Sequence, residues 1–474
     1  MPWSDRLSRR EALAQASRLA HSNISANQKL LSDLAEIIGA SRDVASDWLL
    51  ARPPDHIPQR FDFSQLIDRN GRFVLATKPE VNWDLVTKDL QLAGCEIHDV
   101  KLDSDHTSGI VNTADLLSVV EVSELDGKVW SGGKGLTRGL ALQNALAEAT
   151  ERLLAHSPLP QTAFVAAAAD LKRMGILVPD WNVGIRDAYS DVTNIDWIAA
   201  HSLRGERAAL PAERTYYNYE PRSGVLAFAL QHTAGLAAGA TLEEAIWAGL
   251  TECLERDAYW IVMRCRMCCP TIEPALIRQN NPQLLDRIAQ AGLRLVLKDI
   301  SLDWPLRIVH ATLVDESKRI PAFSHGTGSH TTYETAAFKA VLECLQLRTG
   351  LVRHCQRHSY DVQFPERRAK DPRSAWCDPA SAEMLSHLYE DLSGTPSCNV
   401  GVDMIPAEVI GKLQERTGSI LWAEVGRTHH LRVVRVWIPG CVIPDHTPDT
   451  VSDRLRSWLA RTKIPYPYSI PILT

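Results

Sequence analysis

Long apolar runs are missing from the sequence. No stretch approaches the roughly 18 consecutive apolar residues that a membrane-spanning helix needs, which argues against a membrane protein. The first residues are polar and charged and lead into a polar helical pattern, so no secretory signal is expected. Ten cysteines are scattered over 474 residues, which favours reduced thiols and a cytoplasmic location.

Neither sign of charge dominates the chain. It carries 51 lysines and arginines against 57 aspartates and glutamates, a formal net charge of −6. This weak acidity gives no electrostatic reason to expect a nucleic-acid backbone as a partner. The composition, 45% hydrophobic and 23% charged, is typical of a globular protein, and the length predicts one large multi-lobed body or two to three domains.

Two familiar nucleotide-binding motifs are also missing. The segment 131–135, Ser-Gly-Gly-Lys-Gly, resembles half of a phosphate-binding loop, but the Gly-x-x-x-x-Gly-Lys-Ser/Thr spacing is not met. No Gly-x-Gly-x-x-Gly follows a predicted strand. A nucleotide, if one is bound, is therefore held without a P-loop or a Rossmann motif.

What the sequence does contain falls into two parts. A polar, amphipathic helical pattern over residues 5–50 stops at residues 51–58, where three prolines interrupt it. We therefore predict an N-terminal helical extension over residues 1–75. A larger α+β domain follows over residues 76–474 and ends in a proline-rich tail at residues 465–474. The strands predicted in this domain include 116–123, 293–297, 307–314, 419–425 and 431–438.

Three segments of the sequence can be laid over one another. Each has two small residues four positions apart, then an apolar residue, then a glutamate followed three positions later by glutamate or glutamine. Each segment also follows a lead-in that contains glycine. The segments are 141–152, 245–256 and 336–348, and their lead-ins are 133–135, 239–241 and 326–328.

The glutamates of the repeat predict acidic helix faces. Glu148 and Glu151 share one face of a helix, as do Glu252 and Glu255, and Glu244 projects in nearly the same direction as Glu255. If the helices converge, five carboxylates share one site, and they stay ionised together only when cations neutralise them. An oxygen-only cluster suits Mg²⁺, which usually binds together with phosphate. The alternative is an ordinary solvated helix face, against which the three aligned copies argue.

These motifs resemble the three signatures of the YcaO family. The first signature corresponds to residues 131–135 and 148–152, the second to residues 238–257 and the third to residues 343–348. The resemblance extends over roughly residues 80–474 with the motifs in the right order. It implies an α+β fold of mixed sheets with packed helices and an ATP site between lobes.

The resemblance also implies a reaction. In azoline-forming members, a Cys, Ser or Thr side chain attacks the preceding backbone carbonyl, ATP phosphorylates the resulting oxygen, and phosphate leaves to give a thiazoline or oxazoline. Such enzymes act on ribosomally made precursor peptides, including antibiotic precursors. Thioamide or amidine formation is the alternative within the same chemistry. A non-catalytic nucleotide-binding scaffold is the alternative from another class.

Site residues follow from the same resemblance. It implies ATP and Mg²⁺ as cofactors. Ala240 stands where the family usually has asparagine, so one ligand contact is missing or supplied elsewhere. The implied metal ligands are Glu148, Glu151, Glu244, Glu252 and Glu255. The implied nucleotide contacts are Ser131, Lys134, Asn144, Arg152, Gln346 and Arg348.

The end of the chain and the partners complete the expectations. Azoline-forming relatives often end in Pro-x-Pro-x-Pro with the terminal carboxylate near the active site, which makes Thr474 a candidate catalytic residue. Here Pro465 and Pro467 are followed by proline only at Pro471, so an ordinary proline-rich end is the alternative. The resemblance implies a precursor peptide, a leader-peptide-binding partner protein, a flavin-dependent dehydrogenase and a homodimer within a complex. Residues 1–75 are expected to dock a partner or to extend the dimer interface.

Overall fold

The structure is a computed structural model. It describes residues 61–69, 71–77, 80–99, 118–124, 130–156, 163–179, 189–217, 219–221, 225–226, 231–358, 376–390, 403–441 and 452–462. Residues 1–60, which hold most of the predicted extension, and the tail with Thr474 lie outside the described residues. Within the described part, no helix is long and apolar enough to cross a membrane.

The described elements mix helices with antiparallel strands. The strands are β1 (Leu66–Arg69), β2 (Arg72–Leu75), β3 (Cys95–Asp99), β4 (Ser118–Glu124), β5 (Trp130–Gly135), β6 (Ala163–Ala167), β7 (Asn194–Ser202), β8 (Arg207–Pro211), β9 (Leu236–Gly239), β10 (Thr271–Ile272), β11 (Leu293–Asp299), β12 (Arg307–Asp315), β13 (Phe323–His330), β14 (Leu421–Arg427) and β15 (Arg432–Trp437). The helices are α1 (Trp83–Leu92), α2 (Arg138–Ala155), α3 (Ala168–Arg173), α4 (Ala212–Thr215), α5 (Leu242–Arg264), α6 (Leu284–Gln290), α7 (Tyr333–His358), α8 (Ala382–Tyr389), α9 (Pro406–Thr417) and α10 (Asp453–Thr462).

These strands form four antiparallel sheets. The hairpin β1–β2 is the smallest, and β3, β4 and β5 pair in that order. A larger sheet has the order β6-β7-β14-β15-β9, with β8 also paired to β7, and the fourth has the order β10-β11-β12-β13. The α+β class is confirmed, and the five predicted strands are found as β4, β11, β12, β14 and β15.

Each of the three repeated segments folds as a strand followed by a helix, which we call a strand–helix unit. The first unit is β5–α2, the second is β9–α5 and the third is β13–α7. A threonine hydroxyl caps the start of each helix and accepts a 3.3 Å hydrogen bond from a backbone N–H three residues later. The capping threonines are Thr137, Thr241 and Thr332. The repeat in the sequence is therefore a repeat of local structure.

The glycines of the lead-ins let each strand lie directly on the backbone of its own helix. A Cβ added at Gly326 would lie 2.3 Å from the backbone nitrogen of Cys344. One added at Gly133 would lie 1.9 Å from the carbonyl oxygen of Ala141, so neither position can carry a side chain without movement of the backbone. The small residues four positions apart are the helix side of the same close approach.

Part of the predicted extension packs on the larger domain. The hairpin β1–β2 falls within residues 1–75, yet the Phe73 ring lies 5.3 Å from the Trp247 ring on α5 and 4.8 Å from the His330 ring on β13. The sequence shows no repeat or periodicity that would have joined this hairpin to the domain behind it.

Close packing in the third unit makes a stability prediction. Gly326→Ala should lower the melting temperature, because overpacking of a tight contact costs about 1–3 kcal/mol. Gly350→Ala is the matched control on α7, where an added Cβ meets nothing within 4 Å. That change should raise stability by about 1 kcal/mol through helix propensity. Thermal unfolding of the two variants measures both effects, and equal melting temperatures would contradict the packing argument.

Candidate active site

The three repeat helices converge because each binds the strand of another unit. The contact uses the last position of the motif, which is glutamate in the first two units and glutamine in the third. The helix of the first unit binds β9, that of the second binds β13 and that of the third binds β5, so the units close into a ring. The bonds run from Ala238 N–H to Glu151 (2.7 Å), from the Thr327 hydroxyl to Glu255 (2.6 Å) and from Gln346 Nε2 to the Gly132 carbonyl (2.8 Å).

The first glutamate of each motif is held within its own unit. Its carboxylate accepts a hydrogen bond from a backbone N–H in, or just before, the strand that precedes the helix. The first motif position is thus tied to the backbone of its own unit, and the last to the neighbouring unit, through backbone in two cases and through the Thr327 hydroxyl in the other. The hydrogen bonds within each unit run from Gly132 N–H to Glu148 (3.1 Å), from Gly235 N–H to Glu252 (3.2 Å) and from Thr327 N–H to Glu343 (3.3 Å).

Cations separate some of these carboxylates. Arg152 donates to Glu148 at 2.7 and 3.1 Å on the same helix. Arg256 lies 3.8 Å from Glu252 and 4.0 Å from Glu343, and so links the second unit to the third. These side chains are each about one-quarter to one-third exposed, so the charges line a cleft that solvent reaches.

Even with these cations, Glu151 and Glu252 lack enough positive charge nearby. Loss of hydration, followed by repulsion from Glu252 and Glu148, raises the pKa of Glu151 to about 8. Loss of hydration also raises the pKa of Glu252 to about 7, with Arg256 opposing the shift and Glu255 adding to it. A cation placed between the first and second units would therefore be stabilised by like charges that otherwise repel.

The third unit has the opposite balance. Lys134 lies 3.6 Å from Glu343, which Arg256 also contacts. Burial raises the pKa of Glu343, but these two cations and the N–H of Thr327 outweigh it, so its pKa is lower than usual. The carboxylate of the third unit is thus already neutralised by protein cations.

Glu244 is held in place by two backbone donors. It is 8% exposed, and its two oxygens accept hydrogen bonds from Leu75 N–H (2.9 Å) and Ala240 N–H (3.0 Å). Burial raises its pKa, whereas these two bonds lower it. At the position where the family usually has asparagine, Ala240 therefore contributes through its backbone.

Two of the residues expected to contact a nucleotide have structural partners instead. Arg348 is fully buried, donates to the Pro321 carbonyl at 2.9 Å and lies 3.3 Å from Asp315. Ser131 is fully buried and donates its hydroxyl to the Ala145 carbonyl at 3.0 Å, which ties β5 to α2. Both side chains are engaged in the core, so these contacts do not support their expected nucleotide roles, which stay predictions.

The other expected nucleotide contacts lie in the cleft. Asn144 donates to the Lys134 carbonyl at 2.7 Å, and Lys134, Arg152 and Gln346 have the charged or polar neighbours described above. Sequence reasoning missed Glu343 and Arg256 as charged members of the site. The repeat held the signal, because Glu343 aligns with Glu148, and Arg256 follows its glutamate pair as Arg152 does.

An oxygen-only donor set of this kind fits Mg²⁺. Among the described residues, no three His, Cys, Asp or Glu side chains lie close enough to form a complete metal site. The five glutamates therefore do not form one closed cage, contrary to the simplest form of the expectation. Mg²⁺ is commonly coordinated by one or two carboxylates together with phosphate oxygens and water. Carboxylates that are spaced apart suit this coordination.

The raised carboxylate pKa values predict a pH-dependent stability. Glu151 and Glu252 hold protons more tightly in the folded chain than a glutamate with the usual value near 4.5. Their contribution is fully present below that value and is lost as the pH rises through about 7 to 8. In EDTA, the melting temperature of Glu151→Gln should therefore fall less than that of the wild type between about pH 5 and pH 9. Parallel profiles for the two proteins would contradict this assignment.

Comparison with known proteins identifies the family. The family model described as YcaO cyclodehydratase, ATP- and Mg²⁺-binding, matches residues 132–442. An uncharacterised protein of Methanothermobacter thermautotrophicus is 30% identical over 338 residues, which cover 69% of this chain and 85% of that protein.

Solved structures resemble the fold. A heterocyclase in complex with substrate and cofactor has a TM-score of 0.60 at 19% identity over 77% of this chain, which spans only 52% of that heterocyclase. YcaO from Methanopyrus kandleri with AMPPCP and Mg²⁺ has a TM-score of 0.55 at 19% identity, covering 79% of this chain and 94% of that protein. The E. coli microcin synthetase McbBCD complex with pro-MccB17 bound has a TM-score of 0.51 at 14% identity, covering 73% and 87%. At these identities the likeness concerns the fold alone. The family match, however, extends over well more than half of the sequence, and it confirms the expectation of ATP and Mg²⁺: the chain belongs to the YcaO family of ATP- and Mg²⁺-binding cyclodehydratases.

Proposed function

We propose that this chain uses ATP and Mg²⁺ to activate backbone amides of a ribosomally made precursor peptide. Its Cys, Ser or Thr residues would be cyclodehydrated to thiazolines or oxazolines. The observation that carries the proposal is the ring of three units, which brings two acidic pairs and several cations into one accessible cleft. That arrangement suits phosphoryl transfer, in which positioning and charge neutralisation do most of the catalytic work.

The cleft offers separate places for metal and phosphate. Glu148, Glu151, Glu244, Glu252 and Glu255 would hold Mg²⁺, and Lys134, Asn144, Arg152 and Gln346 would contact the nucleotide. When bound, ATP supplies the phosphoryl group that makes the amide oxygen a leaving group, and Mg²⁺ offsets the phosphate charge. Arg256 bridges the second and third units and would offset the repulsion between their carboxylates while the nucleotide binds.

The two cysteines next to the motif glutamates are unsuited to act as nucleophiles. The cysteines next to the motif glutamates are Cys253 and Cys344, and burial raises the pKa of both thiols, that of Cys344 to about 12. Both therefore stay protonated near neutral pH and are poor nucleophiles. This supports a reaction in which the substrate or a partner supplies the attacking atom.

Partners follow from the same reasoning. The microcin synthetase that shares this fold is a complex with its precursor bound, which supports binding of a peptide and of a partner protein here. We propose a leader-peptide-binding partner, with a flavin-dependent dehydrogenase and a homodimer as further components. A non-catalytic nucleotide-binding scaffold is less well supported. The two acidic pairs repel each other and so cost stability, and a scaffold has no need of them.

Removing single charges from the acidic pairs tests the proposal. Glu151→Gln and Glu255→Gln should each abolish peptide-stimulated ATP turnover, because each removes a negative charge from a proposed metal site while keeping the shape of the side chain. Glu415→Gln, at an exposed position on α9, is the matched control and should retain full turnover. The assay is phosphate release with Mg²⁺, a Cys/Ser-rich precursor and the partner protein. Near-normal turnover in either acidic-pair variant would mean that the metal ligands are assigned wrongly.

Thioamide or amidine formation is the second candidate. The proposed metal and nucleotide contacts would serve it equally, since its nucleophile, sulfide or an amine, also comes from the substrate or a partner. Co-expression with a precursor peptide encoded by a neighbouring gene, followed by mass spectrometry, separates the products. A loss of about 18 Da per site indicates an azoline, a loss of about 20 Da an azole, and a gain of about 16 Da a thioamide. We expect the loss of about 18 Da or, with the dehydrogenase, of about 20 Da.

A further inference from the structure

We propose that the β1–β2 hairpin is part of the active site and that its Arg72 binds a phosphate of the nucleotide. This inference rests on the proposed function. The hairpin lies before residues 132–442, the segment that the family model matches. Neither the motifs nor the family match therefore assigns it a role.

The hairpin is fixed against all three strand–helix units. Against the second unit, Phe73 packs on Trp247 with ring centroids 5.3 Å apart. Against the third, the Phe73 ring stacks on His330 at 4.8 Å, and Asp68 Oδ2 lies 3.4 Å from His330 Nε2. Against the first, Arg72 donates to the side-chain oxygen of Asn144. These contacts fix the hairpin beside all three units of the ring.

The hairpin also shapes a proposed metal ligand. The backbone N–H of Leu75 donates to Glu244 Oε1 at 2.9 Å and leaves the other oxygen to Ala240 N–H. Arg72 lies three residues before Leu75 on the same strand. The strand that orients the carboxylate therefore also delivers a cation to the same cleft.

The guanidinium of Arg72 is available to an anion. Its hydrogen-bond acceptor among the described residues is the Asn144 oxygen, and no described carboxylate forms an ion pair with it, although Glu151 and Glu244 act on its charge from further away. The residue is exposed, its guanidinium carbon lies 6.0 Å from the centre of the Trp83 ring, and loss of hydration lowers its pKa. A guanidinium has five N–H donors in a planar fork, so most of its donors remain for a planar or tetrahedral oxyanion.

A cluster of cations points to phosphate as that anion. Lys339, from the third unit, donates to the Ser329 carbonyl at 3.0 Å, and its charge interacts with those of Glu255, Lys134, Arg72 and Glu343. Lys339 occupies the repeat position that Asn144, the hydrogen-bond partner of Arg72, has in the first unit. Glu343 and Glu255 offset part of the charge of Lys134 and Lys339, whereas no described carboxylate forms an ion pair with Arg72. A highly charged anion would offset the remaining positive charge. The triphosphate of ATP is such an anion, and Arg72 is the member of the set that can bind it in a bidentate manner.

The test is the affinity for AMPPCP, a non-hydrolysable ATP analogue, with Mg²⁺, measured by calorimetry on the full chain. Arg72→Ala should weaken binding about tenfold or more, the usual effect of losing a charge-assisted hydrogen bond. Arg72→Gln, which keeps a polar side chain beside Asn144 without the charge, should weaken binding to a similar extent. Arg69→Ala is the matched control, because Arg69 lies on the same hairpin and pairs with the exposed Glu80 at 3.3 Å. Its affinity should equal that of the wild type.

Each contrary outcome has a distinct meaning. If the wild type binds AMPPCP and both Arg72 variants bind equally well, the phosphate role is wrong and the proposed function stands. If saturating Mg²⁺ restores the variants, Arg72 acts by positioning Glu244, and the phosphate role is again wrong. If the wild type itself does not bind AMPPCP with Mg²⁺, the proposed function is wrong. Should Arg72→Ala not fold, Arg72→Gln alone decides, and wild-type affinity in it would overturn the inference.

Discussion

The candidate active site depends on one reciprocal arrangement of hydrogen bonds. Each unit's first motif glutamate binds a backbone N–H of its own strand segment, and the second motif residue binds the strand of the next unit. Because the second bonds run from the first unit to the second, from the second to the third and from the third back to the first, the ring closes without a free end. The same side chains therefore hold the units together and place the charges of the cleft.

This dual use explains why the repeat combines small residues with acidic ones. A strand can supply backbone donors to its helix only if it lies almost on the helix backbone, which the glycines at 133, 239 and 326 permit. That closeness removes water from the carboxylates and brings them within range of one another, so the pKa of Glu151 rises to about 8. Because the same packing brings like-charged carboxylates together, a bound cation would reduce their repulsion.

The sequence predicted most of the glutamates of the candidate site from the repeat, but it missed Glu343 and Arg256, which the repeat contains, and the β1–β2 hairpin, which lies outside the repeat. Glu148, Glu151, Glu252 and Glu255 are found at the ring because spacing of three along a helix sets a shared face. Arg348 follows Gln346 by two residues, about 200° around the helix, so it points away from the cleft and into the core beside Asp315. The family motif named both residues, and helical phase alone would have separated them.

The hairpin could not have been placed from the sequence, since its contacts are long-range ones made by Phe73 and Leu75 to residues far along the chain. The charge pattern, in contrast, follows from small differences among the three copies. The third unit has glutamine at the last motif position because its partner is a carbonyl oxygen, to which only a donor can bind. It also has Lys339 where the first unit has Asn144 and the second has alanine. The first two units thus carry the uncompensated negative charge, and the third, together with Lys134 and Arg72, carries the cations. This asymmetry is what the proposed division of the site requires, with metal held by the first two units and phosphate by the cations.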